Sequence, residues 1–350
     1  MPASRNYRID LVPVSHREFP PKIAALPKAE LHLHLEGSIR PAIAAALAVR
    51  HGVALTEDEV RQRYAYSDFT TFIDAFKWVT SFLRDPADFA LVASDLAEQL
   101  AAQNVIYAEV TLSVGVMLLR KQNPQANFEA ILAASEPYER KGLRLNWIFD
   151  SVRQYGADLA LQVVDSAKLC NSPRIVAFGI GGDELSVATK EFRDVYKQAS
   201  QCGLHRLIHA GEIGGPEKIR EAVELLGVER IGHGIAAIHD TALMDLLAAR
   251  RIALEVCPAS NLLTGALARQ LRKAAPSIEQ HPLPQLLRHG IPVVLSTDDP
   301  TMFHTSLSDE YQHAHRMGLG EAELGQLVSD SFTYAFLPSD ERVRLNLRPA

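Results

Sequence analysis

From residue 31 onward, short apolar stretches alternate with longer stretches whose apolar residues recur at helical spacing. The short stretches are rich in Val, Ile and Leu, which is typical of strands buried on both faces of a parallel sheet. The predicted strands are residues 31–35, 105–113, 143–150, 175–180, 205–209, 230–233, 252–257 and 291–297. The predicted helices between the later strands are residues 127–141, 157–170, 189–202, 216–226, 240–250 and 282–289.

This alternation predicts an α/β fold, specifically a closed (β/α)8 TIM barrel with a helical insertion after the first strand. An open, doubly wound parallel sheet is the alternative. No Gly-x-Gly-x-x-Gly motif follows the first predicted strand, which disfavours the dinucleotide-binding form of that alternative. We expect the whole chain, residues 1–350, to form one barrel domain.

Two segments fall outside the alternation. Residues 1–27 are polar and predict an N-terminal arm, in which Pro20 and Pro21 argue against a helix. Residues 41–104 lie between the first two strands and predict the helical insertion. The aromatic residues at helical spacing within it predict core packing, and a lid over a pocket is the second interpretation.

Composition and charge restrict the classes of partner. Apolar residues make up 47% of the chain, and the net charge is −6 with no basic block, so we expect no nucleic-acid binding. The three cysteines have no Cys-x-x-Cys spacing and fit a reducing cytoplasm. We expect no signal peptide and no membrane segment, because no apolar run approaches the roughly 18 residues that a span needs.

In a (β/α)8 barrel, chemically active side chains lie at the carboxyl ends of the strands. His32 and His34 alternate with leucines in the first strand, so both imidazoles face one side. The later strand ends carry Gly181-Gly182-Asp183-Glu184, His209-Ala210-Gly211-Glu212, Gly232-His233-Gly234, Cys257-Pro258-Ala259-Ser260-Asn261 and Ser296-Thr297-Asp298-Asp299-Pro300. A single His in a strand is usually structural, but two on one face with others at separate strand ends favour a metal site.

Six other histidines are expected to have no chemical role, and His239 and His304, in loops near the active face, are left unassigned. His205 opens its strand and therefore belongs to the opposite, structural end of the barrel. The histidines expected at surface or helix positions without a partner motif are His51, His281, His289, His313 and His315.

Three imidazoles and one carboxylate suit zinc with an open position for water. Zinc lowers the pKa of a bound water from about 16 towards 7, and hydrolysis then needs a base and an acid. His233 and Asp298 are candidate bases, and Glu212 is the candidate acid. This set predicts hydrolytic attack on a C=N or C=O carbon. The sequence lacks His-Glu-x-x-His, which excludes the common zinc proteases, and Pro-Cys-x-x-Cys, which excludes the other zinc deaminase class.

Together these motifs resemble the adenosine/adenine deaminase family of the amidohydrolase superfamily. The matching motifs are His-x-His-Leu-Glu-Gly (32–37), His-Ala-Gly-Glu (209–212), Gly-His-Gly (232–234), Cys-Pro-x-Ser-Asn (257–261) and Ser-Thr-Asp-Asp-Pro (296–300). They occur in family order and span residues 28 to about 311. The resemblance implies a metal-dependent hydrolase barrel that replaces the 6-amino group of an aminopurine nucleoside with oxygen and releases ammonia.

The resemblance also implies a role for each motif residue. One zinc ion per subunit would be bound by His32, His34, His209 and Asp298. Glu212 would protonate N1 of the purine, and His233 would orient and deprotonate the zinc-bound water. Asp299 would accept a hydrogen bond at N7, and the backbone N–H of Gly182 would meet N3.

Glu36 departs from the His-x-His-Leu-Asp-Gly motif of typical adenosine deaminases. The motif with glutamate is similar to that of the branches that act on adenine or on 6-aminodeoxyfutalosine. The latter is a menaquinone precursor with a carboxyphenyl ketone. The segment Phe-Asp-Ser-Val-Arg-Gln (149–154) resembles the second branch, which implies that Arg153 pairs with that carboxylate. A structural arginine is the alternative.

Five outcomes therefore remain open from the sequence. The favoured substrate is 6-aminodeoxyfutalosine, and adenosine or adenine is the alternative. More remote alternatives are another mononuclear-zinc amidohydrolase and an inactive binding scaffold. The oligomeric state is not predicted.

Overall fold

The computed structural model describes residues 19–66 and 69–337, with residue 69 described through its backbone alone. In this part of the chain, eight parallel strands form one sheet in sequence order, each paired with the next. They are β1 (Lys28–His34), β2 (Val105–Leu112), β3 (Arg144–Val152), β4 (Ile175–Gly181), β5 (His205–Ala210), β6 (Arg230–His233), β7 (Ala253–Val256) and β8 (Val293–Leu295).

The sheet closes on itself between its first and last strands. A parallel bridge pairs Leu33 of β1 with Asp298, which follows β8. The His34 N–H donates to the Asp298 carbonyl over 2.8 Å, and the Asp298 N–H donates to the His32 carbonyl over 3.0 Å. Because helices alternate with the strands around this closed sheet, the predicted (β/α)8 TIM barrel is confirmed.

The N-terminal segment differs from the prediction at its proline pair. Helix α1 (Pro21–Ala25) begins at Pro21, so the expectation of no helix there was wrong. Proline at the first helical position loses no hydrogen bond, because that N–H would have no partner within the helix. β1 also begins three residues earlier than expected, at Lys28. Residues 1–18 of the predicted arm lie outside the described residues.

Helices fill the described segment between β1 and β2. They are α2 (Pro41–Arg50), α3 (Glu57–Arg63), α4 (Phe69–Thr80) and α5 (Pro86–Ala102). The start of α5 is set by Asp85, whose carboxylate accepts from the backbone N–H of Asp88 in a reciprocal capping box. In α4, the Phe72 ring lies 4.9 Å from that of Phe303, so the insertion packs at the end of the barrel where β8 ends.

The remaining α-helices of the described residues follow strands β2 to β8 along the chain. They are α6 (Val114–Leu119), α7 (Pro124–Glu139), α8 (Gly156–Cys170), α9 (Arg193–Gln201), α10 (Pro216–Glu221), α11 (Thr241–Arg250), α12 (Pro258–Leu263), α13 (Ala266–Leu271), α14 (Leu283–Arg288), α15 (Leu307–Arg316) and α16 (Glu321–Thr333). Among the helices in the described residues, none combines the length and apolarity needed to cross a membrane.

A buried ion-pair network fills the barrel interior below the predicted site. The guanidinium of Arg230 donates to Glu255 over 2.6 Å and also to Glu109, and all three side chains are buried. It further donates to the Tyr334 carbonyl over 2.8 Å and lies 3.7 Å from the centroid of the Phe336 ring. Arg230 therefore joins β2, β6 and β7 to the segment after α16.

Replacing Arg230 with Met is expected to lower the free energy of unfolding by about 3 kcal/mol or more. The variant leaves two buried carboxylates without their cation, and breaking a buried pair costs far more than removing an exposed one. Urea unfolding followed by circular dichroism measures the change. The control is Arg206→Met, which breaks a partly exposed pair with Glu229 at 3.1 Å and should cost about 1 kcal/mol or less. Equal losses in the two variants would contradict the prediction.

Candidate active site

Three histidines and one aspartate meet at the carboxyl ends of the strands. His32 and His34 project from one face of β1, and their ring centroids lie 5.5 Å apart. The ring of His209 lies 4.7 Å from that of His32, and one ligand nitrogen from each of the three rings lies within 4.8 Å of the others. Oδ1 of Asp298 is 3.3 Å from His34 Nε2 and 3.6 Å from His32 Nε2. The structure thus brings together the four residues predicted as metal ligands.

The orientation of His32 fits a metal ligand. Its Nδ1 is 2.7 Å from a carboxylate oxygen of Glu255, while its buried Nε2 has no hydrogen-bond partner among the described residues. A carboxylate on one ring nitrogen fixes the tautomer and directs the other nitrogen at the ion. Burial alone would lower the pKa of His32, but the nearby carboxylates of Asp298 and Glu255 raise it to about 10. The carboxylates beside His32 therefore favour positive charge at this ring.

The backbone around the cluster is strained, as is common at functional sites. His233 and Asp298 have φ angles of +63° and +68°, in the left-handed region that side chains other than glycine rarely adopt. Gly232 lies between two of the imidazoles, and a Cβ there would stand 2.8 Å from His32 and 2.9 Å from His209. Only glycine leaves the rings room to converge.

The predicted acid and base lie next to each other beside the cluster. His233 Nε2 is 3.5 Å from Glu212 Oε2 and 3.9 Å from Asp298 Oδ2. The hydroxyl of Thr264 donates to the other carboxyl oxygen of Glu212 over 3.2 Å. Burial, and then the negative charge of Asp298, raises the pKa of Glu212 to about 8. The raised pKa favours the protonated form of Glu212, which a general acid requires.

Two further buried carboxyl groups present unsatisfied oxygens at the site. Asp299 Oδ1 and Glu36 Oε2 are buried without a hydrogen-bond partner among the described residues. Burial, and then Asp298, raises the pKa of Asp299 to about 8. Burial also raises the pKa of Glu36, whose other oxygen accepts from the Ser113 N–H over 3.0 Å. Leaving a buried polar atom unpaired is costly, so both oxygens are candidates for contacts with a ligand.

Gly182 and Arg153 lie at the adjacent strand ends. Gly182 follows β4 with a φ of +89°, and a Cβ there would stand 2.6 Å from Gln154 Oε1. Arg153 follows β3 and is buried, and its guanidinium donates to the carbonyls of Val187 and His209 over 3.3 and 3.4 Å. The structure thus places both residues at the predicted end of the barrel, with Arg153 beneath the loop that contains Val187.

Several residues at the site were not assigned a role from the sequence. Glu255 orients His32, the Ser260 hydroxyl donates to Asp298 over 2.6 Å, and Glu184 accepts from the backbone N–H groups of Ile213 and Gly214 over 2.9 Å each. Glu255 could have been found as a charged residue inside a strand that is otherwise apolar. Glu184 holds the loop that carries Glu212.

The expectation of a surface or helix position without a partner was wrong for His281, whereas His51 lies at the end of α2 as expected. His281 is 3% exposed and lies 3.2 Å from the side chain of Asn261, which in turn contacts His233. His51 is partly buried and contacts the carboxylate of Asp88 over 2.8 Å. Neither contact has a signal in the local sequence, because the partners are distant along the chain. His205, by contrast, opens β5 as expected and stacks on Phe336 with the ring centroids 4.0 Å apart.

The fold and this convergent set of imidazole and carboxyl groups define a hydrolytic barrel enzyme. The family described as Adenosine deaminase matches residues 27–348, so the chain belongs to the adenosine deaminase family.

Three known proteins illustrate the range of the family. The chain is 37% identical to an aminodeoxyfutalosine deaminase of Streptomyces coelicolor, covering 92% of this chain and 83% of that protein. It is 34% identical to an adenine deaminase of Chelativorans sp., covering 91% and 96%. An amidohydrolase of Burkholderia ambifaria, solved with bound zinc, superposes with a TM-score of 0.83 at 26% identity, covering 93% and 89%.

The reaction class follows from the family and the site. The protein is a hydrolase that acts on C–N bonds of cyclic amidines, and it performs deamination of the adenosine, adenine or aminodeoxyfutalosine type. Its substrate is accordingly a small purine molecule. The inactive scaffold and hydrolysis of another type of bond, which the sequence left open, have no support in these comparisons.

Proposed function

We propose that the protein uses one zinc ion per subunit to deaminate 6-aminodeoxyfutalosine, a step of menaquinone biosynthesis that releases ammonia. The observation that carries the choice of substrate is the buried guanidinium of Arg153, which has no carboxylate within ion-pair distance in the part of the chain that the structure describes. A buried cation without a counter-ion is costly and favours an anionic ligand. The carboxyphenyl group supplies that anion, whereas adenosine and adenine have none.

The name of the Streptomyces coelicolor relative supports the same substrate. In the described structure, the loop through Val187 covers Arg153, so pairing with a substrate carboxylate requires the guanidinium to exchange its two carbonyl contacts for that group. Carboxylate is the stronger acceptor for a guanidinium. The exchange is therefore favourable once the substrate enters.

The donor set supports zinc as the metal. His32, His34, His209 and Asp298 would hold the ion, and Glu255 already orients the first of them. Imidazole nitrogens and carboxylate oxygens are ligands of catalytic zinc, which keeps a further position open to water. A related amidohydrolase contains zinc. When bound, zinc would supply a water activated for attack on C6 of the purine.

The protein side chains would then supply the proton transfers and the binding of the purine. Glu212, protonated at neutral pH, donates to N1 and makes C6 electrophilic. His233 contacts the attacking water, and the Gly182 N–H contacts N3. Purine N7 carries no proton, so it cannot donate to Asp299, and the direction expected from the resemblance is reversed. Asp299 is protonated below its pKa of about 8 and donates to N7.

Adenine is the second candidate substrate, and Glu36 favours it. The buried Oε2 of Glu36 occupies the region where typical adenosine deaminases have a shorter aspartate, and it lacks a partner among the described residues. The adenine deaminase of Chelativorans sp. is 34% identical to this chain. Side-by-side kcat/KM values for 6-aminodeoxyfutalosine, adenine and adenosine on the zinc-loaded protein distinguish the candidates. A higher value for adenine than for 6-aminodeoxyfutalosine would overturn the proposed substrate.

Replacing Arg153 with Ala is expected to lower kcat/KM for 6-aminodeoxyfutalosine by about 10- to 100-fold more than kcat/KM for adenosine. A charge-assisted hydrogen bond to a carboxylate is worth about 1.5–3 kcal/mol, and adenosine cannot make it. The control is Arg193→Ala on the exposed side of α9, which should change neither value. Equal losses for both substrates in Arg153→Ala would assign the arginine a structural role only.

A further inference from the structure

Asn261 and His281 are buried beside the active site, yet neither belongs to the metal-binding cluster. The side chain of Asn261 lies between two imidazoles: its Nδ2 is 3.1 Å from His233 Nδ1, and its Oδ1 is 3.2 Å from His281 Nε2. Each of the three residues is at most 3% exposed. Water therefore does not compete for these hydrogen bonds.

The direction of the hydrogen bonds is set at the outer end of the chain. The backbone N–H of Leu283 donates to His281 Nδ1 over 3.1 Å. A backbone N–H can only donate, so Nδ1 of His281 carries no proton. Burial, and then the nearby His233 imidazole, lowers the pKa of His281 to about 3, so the ring is neutral. A neutral imidazole without a proton on Nδ1 has its proton on Nε2.

The direction of these hydrogen bonds also determines how the Asn261 amide is oriented towards His233. The Nε2–H of His281 can donate only to the amide oxygen of Asn261, which leaves the amide nitrogen facing His233. An amide nitrogen donates and does not accept, so Nδ1 of His233 must be the acceptor. The proton of a neutral His233 is then on Nε2. That nitrogen faces two acceptors, the carboxyl oxygens of Glu212 and Asp298 at 3.5 and 3.9 Å.

We infer that the Leu283 N–H, His281 and Asn261 hold His233 in the tautomer protonated on Nε2, so that His233 donates a hydrogen bond to the oxygen that attacks C6 instead of removing its proton. Asn261 and His281 are positioning residues in this scheme. The inference rests on the proposed function and assigns the direction of one hydrogen bond within it.

In this scheme the carboxyl groups of Asp298 and Glu212 carry the protons. The oxygen of the attacking water forms the bond to C6 with one of its electron pairs. One proton of that water goes to Asp298, and Glu212 gives its own proton to N1. Asp298 passes its proton to the amino group, the C6–N bond breaks and ammonia leaves. As C6=O forms, the hydroxyl proton returns to Glu212. His233 donates to the same oxygen throughout, and such a donor is worth about 10²–10³ in kcat.

Replacing Asn261 with Asp tests the direction of its hydrogen bond with His233, because the two side chains have nearly the same volume. A carboxylate accepts from both imidazoles, so the proton of His233 moves to Nδ1 and its Nε2 can no longer donate. We expect kcat to fall about 100-fold, with the zinc content and KM nearly unchanged. If His233 were a base, the same variant would resemble the Asp–His pair of hydrolases and would keep or raise kcat, and that result would overturn the inference.

Paired variants at His281 separate hydrogen bonding from packing. Glutamine at position 281 can still donate to the Asn261 oxygen, whereas leucine fills the space without a donor. We expect His281→Gln to lose less of kcat than His281→Leu, because only the former keeps the Asn261 amide in its orientation. Equal losses in both variants would assign His281 a packing role and would contradict the inference.

Nitrogen NMR of the wild-type protein gives a readout that does not depend on turnover. In the zinc-loaded protein with 15N-labelled histidine, His233 should show a proton on Nε2 and none on Nδ1, with His233→Gln identifying its signals. A proton on Nδ1 would overturn the inference even if every variant loses activity. If the wild type deaminates no purine, the proposed function fails, but this spectrum still tests the tautomer.

Discussion

Replacing Glu212 with Gln is expected to lower kcat by at least about two orders of magnitude, the usual contribution of a positioned acid. The amide has nearly the volume of the carboxyl group and can still accept from Thr264, so the geometry of the site is kept. It has no proton to give to N1, and C6 then stays poorly electrophilic. The decrease is measured as kcat at saturating substrate, with the zinc content of each preparation measured alongside.

The zinc content of the Glu212→Gln variant distinguishes two roles for Glu212, a general acid and a metal ligand. His209, Glu212 and His233 also lie close enough together to hold an ion, so a ligand role for Glu212 is the competing interpretation. An acid can be replaced without loss of zinc, whereas a ligand cannot. Full zinc content with low kcat supports the acid, while loss of zinc or near-wild-type kcat would contradict it.

The pH profile provides a second control. Because burial and the charge of Asp298 raise the pKa of Glu212 to about 8, its acidic form predominates below that pH and is lost above it. The wild-type kcat should therefore fall as the pH rises through about 8. Asp299 also has a pKa of about 8 and loses its own proton in the same range. In Glu212→Gln the residual activity should fall less steeply, because the group at position 212 no longer titrates.

The barrel was predictable because its strands are buried on both faces. Such strands are continuous apolar runs, and eight of them separated by amphipathic segments leave few alternative architectures. The ends were less predictable: β8 spans only Val293–Leu295, and α10 continues as a π-turn over Ala222–Leu226. Hydrogen bonding decides where an element ends, and apolar patterning does not report it.

The metal-binding cluster was predictable for a related reason. Strand alternation places His32 and His34 on one face, and the barrel brings every other strand end to the same rim. Glu255 stands out in the sequence as a charge within an apolar strand, but the partners of Glu255 and His281 were not predictable. Glu255 reaches His32 across 223 positions of sequence, and His281 lies in the segment before α14 with a partner 20 positions away. Such contacts depend on side-chain direction in the folded chain, which no local pattern encodes.

The polar interior of the barrel links stability to the site. Glu255 contacts His32 with one carboxyl oxygen and Arg230 with the other, so one buried carboxylate serves both the metal ligand and the network below it. Arg230 lowers the pKa of Glu255 against the effect of burial and keeps it ionised. An ionised Glu255 holds the proton of His32 on Nδ1, which leaves Nε2 free for the metal. The free-energy cost of burying Arg230 and Glu255 therefore accompanies a functional role, the orientation of His32.

Replacing His34 with Ala is expected to remove the metal and with it the activity. Four side chains meet at the proposed site, and His34 Nε2 is 3.3 Å from Asp298 Oδ1, in the centre of the cluster. Three remaining ligands hold zinc far less tightly than four. Zinc per chain, measured by mass spectrometry after gel filtration, should fall from about one to near zero.

The matched control is His289→Ala, because His289 contacts the exposed carboxylate of Asp245 over 2.8 Å, away from the cluster. It should keep full zinc and full kcat. Glu255→Gln should give an intermediate result, since orienting partners of metal-bound histidines contribute about 10–100-fold in affinity. A zinc content that is lowest in His34→Ala, intermediate in Glu255→Gln and full in His289→Ala distinguishes a direct ligand from a residue that orients one. A full zinc complement in His34→Ala would contradict the ligand assignment and would move the metal to the overlapping set of His209, Glu212 and His233.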